Sequence, residues 1–245
     1  KSNKLIILFL RRQYYFKILY YQHMLKKFLH KFRFFLLGNL REERLSKFFS
    51  ELIIQYKLSD HLRILDYGSG FHPNVILYIS EILHDKGIKA EINCTDFYST
   101  EELAELNNLY QNITFYHLNN FEDKEFDFVI ISDVIHHIGI EKKDEIRNLL
   151  NKLSQSCNFV LIKDHFEYGP FSRAILRFMD FIGNYKDDVS IPKIYFNEKE
   201  LNSLMDEIKL IKVKELKNIS LYRKIFFPFN LKKFQFIHLY KRQQT

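Results

Sequence analysis

Between residues 62 and 162, short apolar runs alternate with segments whose apolar residues recur at helical spacing, and this alternation restricts the chain to few folds. Strands are read at 62–67, 91–95, 113–117, 126–131 and 159–162, with helices at 74–86, 99–110 and 142–153. Parallel neighbours in a sheet need crossovers of a dozen or more residues, which the intervening helices supply. The run FDFVII at 126–131 is almost wholly apolar, as a central strand covered on both faces must be. A helix at 41–58, with Leu45, Phe48, Phe49, Leu52 and Ile53 on one face, precedes the series. In the last third, helices at 171–182 and 198–205 lead to strands at 208–215 and 234–240, which have no crossover helix between them and so pair antiparallel at a sheet edge. The expected fold class is α/β: one domain over residues 41–245, with a sheet of about seven strands, mostly parallel.

Size and charge agree with one core and an appendage. A chain of 245 residues that is 47% hydrophobic buries a substantial core. The net charge of +7 is lopsided, because residues 1–41 hold ten Lys or Arg and no acidic residue, leaving about −3 for the rest. A nucleic-acid binder needs a basic face on the domain itself, so nucleic acid is not the expected partner. Residues 1–40 form an amphipathic basic helical extension, with Leu25, Phe28, Leu29, Phe32 and Leu36 at helical spacing against Lys26, Lys27, Lys31 and Arg33. Two readings stay open: a lid packed on the domain, or peripheral contact of residues 1–38 with an anionic membrane. The apolar run 5–10 is too short to cross a bilayer. Two cysteines, Cys94 and Cys157, without metal-ligand spacing, make a reduced, cytoplasmic setting the default.

The stretch RILDYGSG, residues 63–70, ends a strand on Asp66 and turns through Gly68 and Gly70 into a helix. Glycine is required where the backbone turns tightly and a ligand approaches without a Cβ in the way. The next strand ends at Thr95-Asp96, where a carboxylate can accept hydrogen bonds from both hydroxyls of a ribose. A full GxGxxG is absent, which argues against a nicotinamide oxidoreductase.

With these motifs the chain resembles the class I S-adenosylmethionine-dependent methyltransferases, in their small-molecule branch, over residues 41–242. The family's first motif matches Asp66, Gly68 and Gly70, its ribose-binding acid matches Asp96, and its fourth-strand motif matches FDFVIISDVIHHI at 126–138, including Asp133. The resemblance implies a Rossmann-like methyltransferase sheet with an antiparallel C-terminal strand, and S-adenosylmethionine as cofactor. In two places the chain departs from the family: His72 stands where a third glycine is usual, and the adenine contact falls to Asn119 or Asn120 without an acid.

Transfer from a sulfonium asks the protein for orientation and, with a hydroxyl or amine acceptor, for removal of a proton. Groups for this work belong beyond the carboxyl ends of the fourth and fifth strands. That region offers Asp133, His136 and His137, then Lys163, Asp164 and His165. His165 beside Asp164 is the first candidate for a general base, with His137 second; His136 reads as a packed residue. Neighbours on a strand face opposite sides, so Asp164 need not touch His165. On the helix at 171–182, Arg173 and Arg177 are one turn apart and can hold an anionic group of the acceptor, or Arg177 can simply pair with Asp180. Tyr185 and Tyr195 flank a charged loop able to cover it. The expected activity is methyl transfer to a small molecule, lipid- or glycan-linked in one version. Its alternatives are an RNA or protein methyltransferase and a non-catalytic cofactor-binding subunit. No metal is expected, and the acceptor atom and oligomeric state are not legible.

Overall fold

The computed structural model describes residues 40–118, 120, 125–184, 191–222 and 231–243, all within the unit Asn39–Thr245. The expected helices before residue 40 lie outside the described residues. The described elements are α1 (Leu40–Tyr56), β1 (His61–Tyr67), α2 (Asn74–Asp85), β2 (Lys89–Asp96), α3 (Thr100–Leu109), β3 (Ile113–His117), β4 (Phe126–Ser132), α4 (Ile135–Ile138), α5 (Lys143–Gln155), β5 (Cys157–His165), α6 (Pro170–Asn184), α7 (Glu198–Glu207), β6 (Leu210–Lys217) and β7 (Gln235–Arg242). The strands form a seven-stranded sheet in the order β3-β2-β1-β4-β5-β7-β6. β1 to β5 pair in parallel, while β7 inserts antiparallel between β5 and β6. The expected antiparallel pair is present, with β6 at the edge.

Side-chain alternation along the strands feeds two cores. Leu62, Ile64, Phe128, Ile130 and Leu161 face a core that includes Leu45, Phe49 and Ile53 of α1 and Ile76, Ile79 and Leu83 of α2. Leu65, Val129, Ile131, Val160 and Ile162 face the other, built with Ile146, Leu150 and Leu153 of α5 and Leu201, Leu204 and Met205 of α7. The helix starts are written into the sequence: Ser99 caps α3, accepting from the Glu102 N–H at 3.2 Å while Glu102 accepts from the Ser99 N–H at 2.7 Å. Asn197 and Glu200 do the same for α7.

β5 is longer than the sequence suggests. Its apolar run stops at Ile162, but the strand continues through Lys163, Asp164 and His165, all of them buried. These three therefore belong to the sheet and not to the loop after it. β7 extends the ladder on the other side, setting His165 opposite Gln235.

The turn from β1 to α2 carries the glycines that the sequence singled out. Gly68 and Gly70 have φ of +79° and +66°, a region that Cβ-bearing residues rarely enter. The Gly68 and Ser69 N–H groups donate to the Thr95 carbonyl at 2.8 and 3.3 Å, pinning the turn to the end of β2. A Cβ on Gly68 would lie 2.5 Å from Cγ2 of Val134, whereas one on Gly70 would meet nothing within 4 Å. Gly68 thus lets the turn pack under the end of β4, and Gly70 leaves an open approach. Gly70→Ala is expected to cost about 1–2 kcal/mol through its backbone alone. Gly68→Ala should cost about 1–3 kcal/mol more, from the added overlap. Urea unfolding of both variants checks this, and equal losses would contradict it.

Candidate active site

The carboxyl ends of β1 and β2 bring two carboxylates to the glycine turn. Asp66 is buried, and its carboxyl is pushed up to about 7 by burial and by the nearby charge of Asp96. Asp96 accepts from the Gly70 N–H at 2.8 Å with one oxygen and from the Phe97 N–H at 2.7 Å with the other. Each oxygen keeps a second lone pair, so the carboxylate can still receive two hydroxyls. Tyr98, not singled out from sequence, locks the turn: its hydroxyl donates to the Gly70 carbonyl at 2.8 Å and lies 2.7 Å from the Ser69 hydroxyl. His72, at the missing third glycine, is exposed and leads through buried Pro73 into α2, which starts without a side-chain cap. After β3, the Leu118 N–H donates to the Asp96 carbonyl at 3.0 Å and the Asn120 N–H to the His117 carbonyl at 2.9 Å. Asn120 is exposed on this side, and Asn119 lies outside the described residues.

At the ends of β4 and β5 the charges are interlocked. Asp133 has a left-handed φ of +57°, a conformation aspartate tolerates better than most residues. Its N–H donates to the Lys163 carbonyl at 2.9 Å, and its carboxylate is bound by the Lys163 ammonium and the Arg41 guanidinium. These two cations hold the Asp133 carboxyl far below its usual range despite burial. Lys163 is itself wholly buried, and the loss of solvent pulls its pKa down. Arg41 comes from the first turn of α1, so the helix before the sheet reaches into the site.

Asp164 is the second anchor. It accepts from the His136 ring at 2.6 Å through Nδ1, from the His136 N–H at 3.2 Å and from the His165 N–H at 2.8 Å. On its other side, Nε2 of His136 is 3.6 Å from the Asp180 carboxylate, whose same oxygen accepts from the Tyr195 hydroxyl at 2.5 Å. Burial disfavours the imidazolium, but the two flanking carboxylates outweigh it and raise the His136 pKa to about 9. Asp164 is held low, with His136 the main opposing influence on its burial. His165 behaves oppositely: burial and the Lys163 charge keep its ring neutral. Its Nδ1 sits 3.4 Å from both Asp133 and Asp164 but makes no hydrogen bond. Asp164 therefore does reach His165, although its principal partner is His136.

The remaining candidates are spread more widely. The His137 ring is 4.0 Å from that of His136 and half-buried. Arg173 is engaged by Glu167, with Nε 2.9 Å from both carboxylate oxygens. Arg177 is exposed, and the partner of Asp180 is Tyr195 rather than Arg177. Tyr195 is buried between α6 and the turn at Leu231–Phe234, with its N–H bonded to Glu167 at 3.1 Å. Tyr185 lies outside the described residues. Gln235, opposite His165, is 1% exposed and leaves both carboxamide atoms without hydrogen bonds. Of these groups, Arg41 and Gln235 were missed from sequence because their roles depend on long-range pairings. His136 is packed and hydrogen-bonded, as its sequence reading has it, and the charge it carries between two carboxylates is what the sequence did not show. A cavity of about 860 Å³ lined by Arg147, Asn151, Asn158 and Glu207 opens at the amino end of β5, away from this chemistry.

One carboxylate oxygen or ring nitrogen from each of Asp133, His136, Asp164 and His165 lies within 4.8 Å of the other three. Their carboxylates are already neutralised by Lys163, Arg41 and His136, so a divalent cation would have to displace a buried ammonium ion. A histidine whose pKa is raised on folding gives stability that is complete below its unfolded value, about 6.5, and lost as pH climbs through about 9. Between those pH values the wild type should lose up to about 3 kcal/mol more than His136→Gln. Urea unfolding across the range reads this difference, and parallel curves would contradict it.

No protein-family model matches the chain, and no curated protein matches it in sequence. Solved structures do match in fold. The magnesium protoporphyrin IX methyltransferase ChlM from Synechocystis PCC 6803, with bound SAH, superposes with a TM-score of 0.53 at 13% identity, covering 83% of this chain and 84% of that one. The CurJ carbon methyltransferase gives 0.57 at 15% identity and the mitomycin 7-O-methyltransferase MmcR 0.53 at 15%, each over 83% of this chain. This chain spans 54% of the length of either. With the strand order, the inserted antiparallel β7 and the glycine turn after β1, the chain has the fold of the class I S-adenosylmethionine-dependent methyltransferases.

Proposed function

We propose that the protein transfers a methyl group from S-adenosylmethionine to a small-molecule acceptor. The observation that carries this is the Gly68–Gly70 turn, open at Gly70 and closed by the Asp96 carboxylate. In this reading Asp96 takes the ribose hydroxyls and Gly70 lets the cofactor lie against the backbone. Asp66 and Asp133 face its charged portion, and Asn119 or Asn120 faces the adenine. When bound, S-adenosylmethionine supplies a methyl group already activated by its sulfonium charge.

On the acceptor side His165 is the general base. Two carboxylates beside Nδ1 favour a proton there, which leaves the lone pair on Nε2 to take a proton from the acceptor. Asp164 orients His165 through its N–H and fixes the His136 cation; His137 is the alternative base. Tyr195 shapes the acceptor side through Asp180, exposed Arg177 supplies positive charge for an anionic acceptor, and Arg173 does so where the acceptor takes the place of Glu167. No metal is needed. The printed descriptions of the neighbours, a porphyrin and a mitomycin methyltransferase among them, support a small molecule over nucleic acid. A lipid- or glycan-linked acceptor, with residues 1–38 in peripheral contact with an anionic membrane, is the finer form of the proposal. It places the protein in the cytoplasm, at a membrane surface.

Isothermal titration of the full chain with S-adenosylmethionine should give one site, and a folded protein that binds none would end the reading. Because Asp66 titrates near 7 and a cationic ligand favours its ionised form, affinity should rise with pH between about 6 and 8, approaching tenfold per unit at most. The dependence should weaken in Asp66→Asn; identical profiles would remove Asp66 from the site. With labelled cofactor and a panel of phenols, carboxylates, amines and glycolipids, His165→Gln should lower the turnover of any methylated acceptor by about 10²–10⁴ while leaving cofactor affinity intact. Retained turnover would exclude it as base.

A further inference from the structure

Gln235 breaks the alternation of β7. On the face shared with α1 and α2, Ile237 and Leu239 are apolar and wholly buried, and the next position toward the start of the strand is this carboxamide. It is as buried as they are, and neither its nitrogen nor its oxygen has a hydrogen-bond partner. Among the described residues no other buried side chain leaves two polar atoms unmet. An amide held in that condition destabilises a fold, and an apolar side chain of similar shape would avoid the cost. The residue across the sheet is His165. Because the Phe166 N–H donates to the Phe234 carbonyl at 2.8 Å, residues 166 and 234 form a hydrogen-bonded pair, which makes 165 and 235 the neighbouring non-hydrogen-bonded one. In such a pair the Cα atoms are about 4.5 Å apart and both side chains leave the sheet on the same face. His165 ends β5 and Gln235 begins β7, so the two stand at the rim of the sheet, beside Asp133 and Lys163.

We propose that Gln235 is the specificity residue of the acceptor subsite and binds a neutral amide-type group: a carbonyl that accepts from its Nε2–H, next to an N–H or O–H that donates to its Oε1. His165 then faces the adjoining atom of the same molecule, the one that takes the methyl group. The two unmet atoms set the class of ligand, because one is a donor and the other an acceptor. A carboxylate or phosphate offers lone pairs alone and would leave Oε1 against another acceptor, an ammonium group offers donors alone, and a hydrocarbon would satisfy neither atom. Burial points the same way, since a group that reaches Gln235 leaves water, and a neutral group loses less by that than a charged one. A site that hydrogen-bonds its ligand in this manner rejects the analogue lacking the group, whose binding would leave the carboxamide unpaired. The inference deepens the acceptor reading above and rests on it for the role of His165, but recognition of the amide is read without turnover or cofactor, so the two can fail separately.

The test is titration of the full chain with 2-hydroxybenzamide, 2-hydroxybenzoate and phenol, first alone and then with S-adenosylhomocysteine, together with urea unfolding in the absence of ligand. The variant is Gln235→Met, which keeps nearly the same shape and removes both hydrogen-bonding atoms. The wild type should bind 2-hydroxybenzamide at least about tenfold more tightly than the benzoate or phenol, and Gln235→Met should lose that preference. Without ligand, the urea midpoint of Gln235→Met should equal or exceed that of the wild type, because the carboxamide has no partner to lose. Wild-type protein that binds none of the three compounds, or binds them without preference, overturns the proposal, as does a preference that survives in Gln235→Met. A lowered midpoint in Gln235→Met would assign the carboxamide to holding the fold together and overturns it as well. Failure of S-adenosylhomocysteine to bind, with the amide preference present, would end the methyl-transfer reading and leave the amide subsite standing.

Discussion

The Asp133 carboxylate, held between the Lys163 ammonium and the Arg41 guanidinium, ties together the end of β4, the end of β5 and the first turn of α1. None of the three groups is stable there alone. A buried lysine or aspartate without its partner costs several kcal/mol, so the cluster forms as a unit or not at all. The next residue, Val134, is the one against which Gly68 packs. The glycine turn and the charged cluster are thereby parts of one rigid arrangement: the left-handed turn at Asp133 sets where Val134 lies, and Val134 dictates that residue 68 has no side chain.

Environment divides the labour among chemically equal groups. Asp66 is surrounded by burial and another carboxylate, so its proton stays near neutrality, while Asp133 and Asp164 are held ionised by their cations. The two histidines split in the same way. His136 lies between two carboxylates and is kept as a cation, whereas His165 has the Lys163 charge nearby and stays neutral. A neutral, buried imidazole with carboxylates at one nitrogen is suited to receive a proton at the other. A buried imidazolium is suited to hold two acids in place. Such separation of pKa values within one small volume marks functional sites more often than structural ones.

Much of the architecture was legible in residue order, because each helix and strand announces its own period and the crossovers follow from length. The antiparallel β6–β7 pair was readable for the same reason: the sequence between the two strands carries no helical pattern long enough for a crossover. Legibility failed where polarity misled. Lys163, Asp164 and His165 look like a loop after an apolar strand, yet the strand continues through them since their charges are paired inside. The glycine turn at Gly68 and Gly70 and the meeting of Asp96 with it were readable because turn chemistry is local. Arg41, 92 residues from Asp133, and Gln235, opposite His165 on an inserted strand, depend on tertiary neighbours that no local pattern encodes. The Asp180 partnership was open between Arg177 and others by spacing alone, and the buried Tyr195 hydroxyl decided it.

The position of the cofactor decides the proposed function, and a crystal structure of the complex with S-adenosylhomocysteine addresses it most directly. It should show both ribose hydroxyls on the Asp96 carboxylate, the chain of the ligand passing over Gly70, and its sulfur directed toward His165. Ligand density elsewhere on the domain, or a ribose without contact to Asp96, would contradict it.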